Sequence, residues 1–451
     1  MNILGISSYH HDSAAAVIND ETIIGASQEE RFTRKKYDNS FPINTINWLQ
    51  TSSNDFDHAV FYEEQYYNQF KSDIKKLTKA KPILVDHHEA HAMSSILTTK
   101  WDECAVMVID TVGGKYSTSL GVFQNGKFTW LKRFRYPNSL GLFYSAATKL
   151  LGFKPLSDEC QVMAAAAYGK PKWRQLIRDK ILHWDYKADY TVLQDLERGI
   201  GAGTLDWDIA ASVQDVFETI SANLASWLQQ ETGMTNLAYA GGCALNCVAN
   251  TNLTLWSGFD EIAIQPAAGD AGCALGAAAI ISRPITFTPY LGISSTRNLY
   301  ADHYASLILD NQIVPIIEGR AEFGPRALGN RSLLCLPNDK NIEKLNKIKG
   351  RETDSWRPYA PVIREEDADN YFYLTKNCPY MLFTGTIKNG EFKTHNNTAR
   401  VQVVSQTSNI FLWRILTLTS KWGFPLLINT SLNAKGKPIV NTLEDLRELD
   451  L

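Results

Sequence analysis

The chain has 451 residues, more than one hydrophobic core usually organises, so two domains are expected. Hydrophobic residues make up 44% and charged residues 21%, an ordinary globular balance, and a net charge of −3 supplies no global positive field for nucleic acid or a membrane surface. Seven cysteines, an odd number without a CxxC pair, argue against a disulfide framework and a cysteine zinc site, and point to reduced thiols in a cytoplasmic protein. The start, MNILGISSYHHDS, has neither part of a signal peptide, and no run of about 18 apolar residues exists to span a membrane.

Taken in chain order, residues 3–7, 14–18 and 23–26 read as adjacent strands separated by polar turns. Residues 43–51 and 64–78 read as helices, and 83–85 as a short strand entering Asp86-His87-His88-Glu89-Ala90-His91-Ala92. The apolar run 105–109 ends in Asp110 and then Gly113-Gly114, and residues 120–130 form a hairpin about Asn125-Gly126. Helices are expected over 139–153 and 210–232, the second with apolar residues at helical spacing. A strand over 237–240 runs into Gly241-Gly242, and the Gly/Ala-rich segment 271–281 predicts a closely packed helix behind Gly269-Asp270. Residues 283–300 read as a linker, with a second α/β domain from about 301 to the end.

Several constellations can carry chemistry. His87-x-x-x-His91 on a helix projects two imidazoles from one face toward one metal, and the bland alternative is a solvated helix start. Histidine with carboxylates suits Fe or Zn. Asp110 and Asp270, each at a strand end beside glycine, can hold a metal or a metal–phosphate unit, or serve as turn formers. Gly241-Gly242-Cys243-Ala244-Leu245-Asn246 follows a strand and can turn backbone N–H groups to a phosphate, or simply let helix and strand pack closely. The run Arg31-Phe32-Thr33-Arg34-Lys35-Lys36 is a solvated loop or a phosphate clamp. In the second half, Arg326, Arg331, Lys349, Arg351, Arg357 and Arg400 with Ser431 and Asn433 suit a triphosphate or carbamoyl phosphate.

Together these strings resemble the O-carbamoyltransferase family, which includes tobramycin, nodulation-factor and cephem carbamoyltransferases. The pieces are EERFTRKKY, DHHEAHA, SLGLFYSAATKLLGF, GGCALN, GDAGCALGAA, EFGPRALGNRS, WRPYAPV and LLINTSLN, in this order over nearly the whole chain. The resemblance implies an actin-like (ASKHA) N-terminal domain with mixed sheets over 1–290 and a smaller YrdC-like α/β C-terminal domain over 300–451. It implies that the second domain makes carbamoyladenylate from carbamoyl phosphate and ATP, and that the first passes the carbamoyl group to an acceptor hydroxyl. His87, His91, Asp110 and Asp270 match the family's metal ligands, with Fe2+ the implied ion and Mg2+ an option with ATP. His11 and Asp12 match its turn by the acceptor, and Lys36 its lysine near the transfer site. Gly241, Gly242 and Asn246 match its nucleotide loop, and Arg326, Lys349, Arg400 and Ser431 the holders of ATP and carbamoyl phosphate.

Two strings depart from the family pattern. Gly114 stands where a Glu is usual, and Gln161 where a Lys is usual, which removes one cation. The expected partner is a small-molecule hydroxyl acceptor (a sugar, an antibiotic or similar), with a homodimer as an option. A hydroxymethylated base in a nucleotide or DNA is the alternative, and threonylcarbamoyl-type transfer RNA modification is opposed by GPRALGNRS and NTSLN. A metalloprotease is opposed by the absence of HExxH, since Glu89 sits one position too late.

Overall fold

The computed structural model describes residues 1–53, 55–181, 191–201, 203–297, 300–388, 392 and 394–449. Its first half is built from two five-stranded sheets of the same plan. One contains β1 (Asn2–Ser7), β2 (Ala14–Asn19), β3 (Thr22–Gln28), β4 (His58–Phe61) and β5 (Lys81–Leu84), in the order β3-β2-β1-β4-β5. The other contains β6 (Glu103–Gly113), β7 (Tyr116–Gln124), β8 (Lys127–Arg135), β9 (Asn236–Ala240) and β10 (Glu261–Ala263), in the order β10-β9-β6-β7-β8. In each, three antiparallel strands are followed by two parallel ones. Antiparallel neighbours need only tight turns, such as Asn125-Gly126, whereas the parallel strands arrive by helical crossovers. The architecture is mixed α/β.

Between the sheets lies the helix Asp270–Ile281, almost wholly buried, as its Ala/Gly composition predicts. Small side chains let it approach β1 on one side and the helix His87–Ile96 on the other. A Cβ at Gly276 would stand 1.9 Å from the Ala90 carbonyl oxygen, so only glycine permits this crossing. Asp86 caps the second helix, accepting from His88 N at 2.9 Å and Glu89 N at 3.2 Å. Arg133 on β8 grips the same carboxylate with both terminal nitrogens. The 26-residue helix Trp207–Thr232 flanks the second sheet, opening on the Asp206 cap and ending at Gly233 with φ 64°.

The segment expected as a linker is not free of regular structure. It contains β11 (Tyr290–Ser294), which pairs with β13 (Arg320–Glu322). Its Pro and Ser/Thr content disguised a strand that tertiary pairing selects. The remaining strands are β12 (Val314–Ile317), β14 (Arg331–Cys335), β15 (Ala360–Arg364), β16 (Phe372–Tyr373), β17 (Gly385–Ile387), β18 (Thr398–Ala399), β19 (Gln402–Val404) and β20 (Leu426–Ser431). They form the sheet β12-β14-β20-β15-β19 and the smaller β16-β17-β18. The largest apolar cluster includes Met107 and Leu237 of the first half and Leu333 and Ile428 of the second.

The string at residues 31–34 bolts the halves together. Arg31, fully buried, donates to the Gly324 carbonyl, and Arg34 donates to the carbonyls of Ile439 at 2.8 Å and Pro438 at 3.0 Å. The phosphate-clamp reading of residues 31–36 therefore fails for these two arginines, whose guanidinium groups bind backbone. Arg331 is also buried and donates to the carbonyls of Asn441, Asn330, Ile293 and Gly319.

Candidate functional site

A polar cage forms where the helices His87–Ile96 and Asp270–Ile281 cross. His87 and His91 stack one turn apart, ring centroids 4.8 Å from each other. Asp270 Oδ1 lies 3.5 Å from His87 Nε2 and 3.3 Å from His91 Nε2, and Asp110 Oδ2 lies 3.5 Å from His91 Nε2. All four sequence-derived residues thus meet in one place. His87, His91 and Asp110 are buried, and His87 Nε2 and both His91 ring nitrogens make no hydrogen bond. Buried imidazole nitrogens without donors or acceptors are costly unless something else engages them, and an ion would. The donor set fits a divalent transition metal.

Burial opposes protonation of both imidazoles, yet the surrounding acidic groups prevail and the two pKa values are raised well above the usual histidine range. Burial likewise opposes the Asp270 carboxylate, but His10, His87 and His91 hold its pKa well below the usual range. The cage carries its own counter-charge. Two further groups belong to it that sequence reasoning missed. Cys273, one turn after Asp270 on the same helix face, joins His87, His91 and Asp270 in a set whose ligand atoms all lie within 4.8 Å of one another. The expectation of no cysteine at a metal site had considered only CxxC spacing, and Asp270-x-x-Cys273 was its readable signal. Glu63, just beyond β4, contacts His87 Nδ1, and nothing local in the sequence announces it. His88 faces away, with Nδ1 at 2.7 Å from Ser119 Oγ.

Beside the cage, His10 Nδ1 stands 3.7 Å from Asp270 Oδ2. His11 Nδ1 lies 3.1 Å from Asp12 Oδ2, and its Nε2 contacts the Leu156 carbonyl oxygen at 2.9 Å. Burial works against the His11 cation, but Asp12 and Asp270 overcome it and raise its pKa to about 9. Asp12 Oδ1 is buried and makes no hydrogen bond. Lys36 is exposed, with Nζ 4.8 Å from the centre of the Tyr37 ring.

The glycine loop adjoins the cage. Gly241 has φ 95°, and a Cβ there would meet the Ile109 carbonyl oxygen at 2.2 Å. The next residue, Gly242, donates its N–H to Asp110 Oδ1 at 3.2 Å. Asn246, expected to meet a nucleotide, instead caps the helix Cys247–Trp256 through Ala249 N at 3.1 Å and pairs with the Gln214 amide. Its amide is satisfied locally, because a helix start needs an acceptor.

Arg400 and Arg326 share the electrostatic surroundings of Cys247, on the first turn of that helix. Burial first, then Arg326, lowers the pKa of Arg400 to about 10. The Nε atoms of both arginines are buried without a hydrogen bond. Burial, Arg351, Lys36 and Arg357 hold Lys349 well below the usual lysine range. Its Nζ is held by neighbouring groups. It donates to the Ser431 and Asn433 carbonyls at 2.7 and 2.8 Å, and lies 3.2 Å from Ser431 Oγ. Lys349 and Ser431 therefore shape the turn after β20.

Comparison with known sequences gives two family matches. Residues 2–72 and 62–279 match the family model for the carbamoyltransferase N-terminus, and residues 305–450 that for the carbamoyltransferase C-terminus. The chain is 33% identical to an uncharacterized protein of Synechocystis sp., over 98% of this chain and 93% of that protein. It is 29% identical to nodulation protein NolNO of Sinorhizobium fredii, over 97% and 76% of the two chains. It is 32% identical to 3'-hydroxymethylcephem-O-carbamoyltransferase of Streptomyces clavuligerus, over 65% and 62%. Among solved structures, component A of the Acidaminococcus fermentans (R)-2-hydroxyglutaryl-CoA dehydratase has a TM-score of 0.42 at 19% identity, over 63% of this chain and 98% of that one. Full-length HypF has a TM-score of 0.43 at 15% identity, over 62% and 55%. With both halves matched in order, and the N-terminal match alone spanning more than half of its length, this protein belongs to the carbamoyltransferase family.

Proposed function

We propose that the protein is an ATP-dependent O-carbamoyltransferase of the cytoplasm. A YrdC-like domain over 300–451 forms carbamoyladenylate, and an actin-like domain over 1–290 passes the carbamoyl group to a small-molecule hydroxyl. The observation that carries this reading is the convergence of His87, His91, Asp110 and Asp270 at one helix crossing, with Asp110 also accepting from Gly242 of the glycine loop. The cage suits an ion, and Arg326 and Arg400, whose Nε atoms are buried, suit phosphates. The cephem relative's own name, a 3'-hydroxymethyl O-carbamoyltransferase, favours a small hydroxyl acceptor here.

Mass balance sets the order of steps. Carbamoyl phosphate gives its phosphate to water, the carbamate oxygen attacks the α-phosphorus of ATP, and pyrophosphate leaves. Arg326 and Arg400 stabilise the charge gathered on the phosphates. Lys349 and Ser431 hold the turn that walls the pocket, and Lys36 adds positive charge at its edge. In the second step the acceptor oxygen attacks the carbamoyl carbon and AMP departs. His11 and Asp12, 3.1 Å apart, form the pair that takes up the acceptor's proton. His87, His91, Asp110 and Asp270 would hold Fe2+, and such an ion supplies Lewis acidity toward the carbamoyl carbonyl or the adenylate phosphate.

Incubation of the protein with ATP and carbamoyl phosphate should release pyrophosphate without any acceptor, and a folded protein that releases none would overturn the reading. A mass-shift screen over sugars, aminoglycosides and hydroxymethylated nucleotides then identifies the acceptor.

A further inference from the structure

We propose that Glu322 is a positioning residue for adenylate formation, acting with Gln402 to hold the segment that carries Arg326 beside the one that carries Arg400. This rests on the reading of those arginines as phosphate holders, and it supplies the frame that keeps two like charges together.

Three observations carry it. Glu322 is buried, and its Oε1 accepts backbone N–H groups from a single segment: Leu328 at 2.7 Å, Asn330 at 2.8 Å and Arg331 at 3.1 Å. Second, the same segment is tied to the backbone of Arg400. Gln402 Nε2 donates to the Leu328 carbonyl at 2.9 Å, and Tyr290 Oη donates to that carbonyl at 3.0 Å. Leu328 follows Arg326 by two residues, as Gln402 follows Arg400, so this bond sets the two arginine-bearing segments side by side. Third, Asn429 braces the link from β20. Its Nδ2 donates to Gln402 Oε1 at 2.6 Å and lies 3.4 Å from the Ala327 carbonyl oxygen. Gln402 and Asn429 are buried like Glu322.

The ordinary reading of a buried carboxylate that takes N–H groups is a structural cap. Glu29 is one, accepting from Asn44 N at 3.1 Å and Thr45 N at 2.9 Å at the start of the helix Ile43–Gln50. Glu322 differs in what its turn presents. That turn brings Arg326 into the surroundings of Arg400, where the two guanidinium groups repel out of water. A slack segment would let Arg326 move away. With both the N–H and the carbonyl of Leu328 engaged, such a retreat leaves several buried groups without partners, each at a cost. Donors already fixed in place stabilise charge gathering on phosphates without reorganising.

Calorimetric titration of the full chain with pyrophosphate tests this in a double-mutant cycle of Glu322→Met and Arg326→Met. Glu322→Met alone should weaken pyrophosphate binding roughly tenfold or more, and Glu322→Gln, which keeps an acceptor oxygen, should recover most of that loss. With Arg326→Met already in place, Glu322→Met should weaken binding by less than about twofold further, because the group it positions is gone. Losses that simply multiply, or unchanged binding in Glu322→Met, would overturn the positioning role and leave the arginines as phosphate holders. Absence of pyrophosphate binding to unaltered protein that melts cooperatively would overturn both. Should Glu322→Met not fold, Gln402→Leu enters the same cycle with Arg326→Met, and multiplying losses again refute the proposal.

Discussion

The cage in the first half and the cationic pocket in the second are both buried and polar, yet they are balanced differently. In the cage, imidazoles face carboxylates and each raises the other's preference for its charged form. In the pocket, burial and then Arg326 lower the pKa of Arg400, and burial and then Arg351, Lys36 and Arg357 lower that of Lys349. The cage can stand folded with protons in place of an ion. The pocket keeps like charges together at a cost in stability that an anionic substrate would relieve. A site of the first kind trades protons for a cation, whereas one of the second kind gains stability on binding phosphate.

The sharpest way to break this comparison is His91→Ala. Loss of the shared imidazole should abolish carbamoyl transfer and bound metal while pyrophosphate release persists, as metal content and a phosphate assay would record. Retained transfer would separate the cage from the chemistry. Next comes Arg400→Met, for which pyrophosphate release should fall roughly 10²–10³-fold. The ligand-free melting temperature should hold or rise, since one of two adjacent like charges is gone. A collapse in melting temperature would mean that the guanidinium is structural, as Arg331 is.

Ligand-linked stability follows in size. Pyrophosphate at about 100 times its Kd should add about 2.7 kcal/mol to the unaltered protein and little to Arg400→Met. A pH comparison probes the ground between the two sites. Glu218, which accepts from Gln214 beside the Asn246 cap, has its pKa raised from 4.5 to about 7, chiefly by burial. The folded protein holds that proton more tightly than the unfolded chain. Stability from this group is therefore complete below pH 4.5 and lost as pH rises through about 7. Relative to the unaltered protein, Glu218→Gln should gain a few degrees in melting temperature between pH 5 and pH 8. The smallest effect is expected from Arg34→Ala, which removes two bonds to carbonyls across the halves and should cost about 1–2 kcal/mol in denaturant unfolding.

Much of the first half was legible because local signals agree there. Polar turns separate β1, β2 and β3 in order, Asp86 announces a helix start, and His87 and His91 share a face by spacing alone. The mixed α/β class follows from the same patterns. The segment 283–300 was misread because β11 has no periodicity of its own and is selected by pairing with β13. Asn246 and Lys349 were read as ligand-binding groups because a polar side chain beside a glycine-rich turn looks alike whether it meets a phosphate or caps a helix. Only the local acceptors decide. Arg31 and Arg34 looked like a clamp for the same reason.

The chain's order of residues by itself determined the family, the strand and helix types of the first half, and the pairing of His87 with His91, since each rests on spacing within a short segment. Tertiary structure alone decided that Cys273 and Glu63 join those histidines and that Asp110 reaches the glycine loop. Those contacts span large separations along the chain and depend on how closely two helices cross. At Gly276 that distance is set by the absence of a single methyl group.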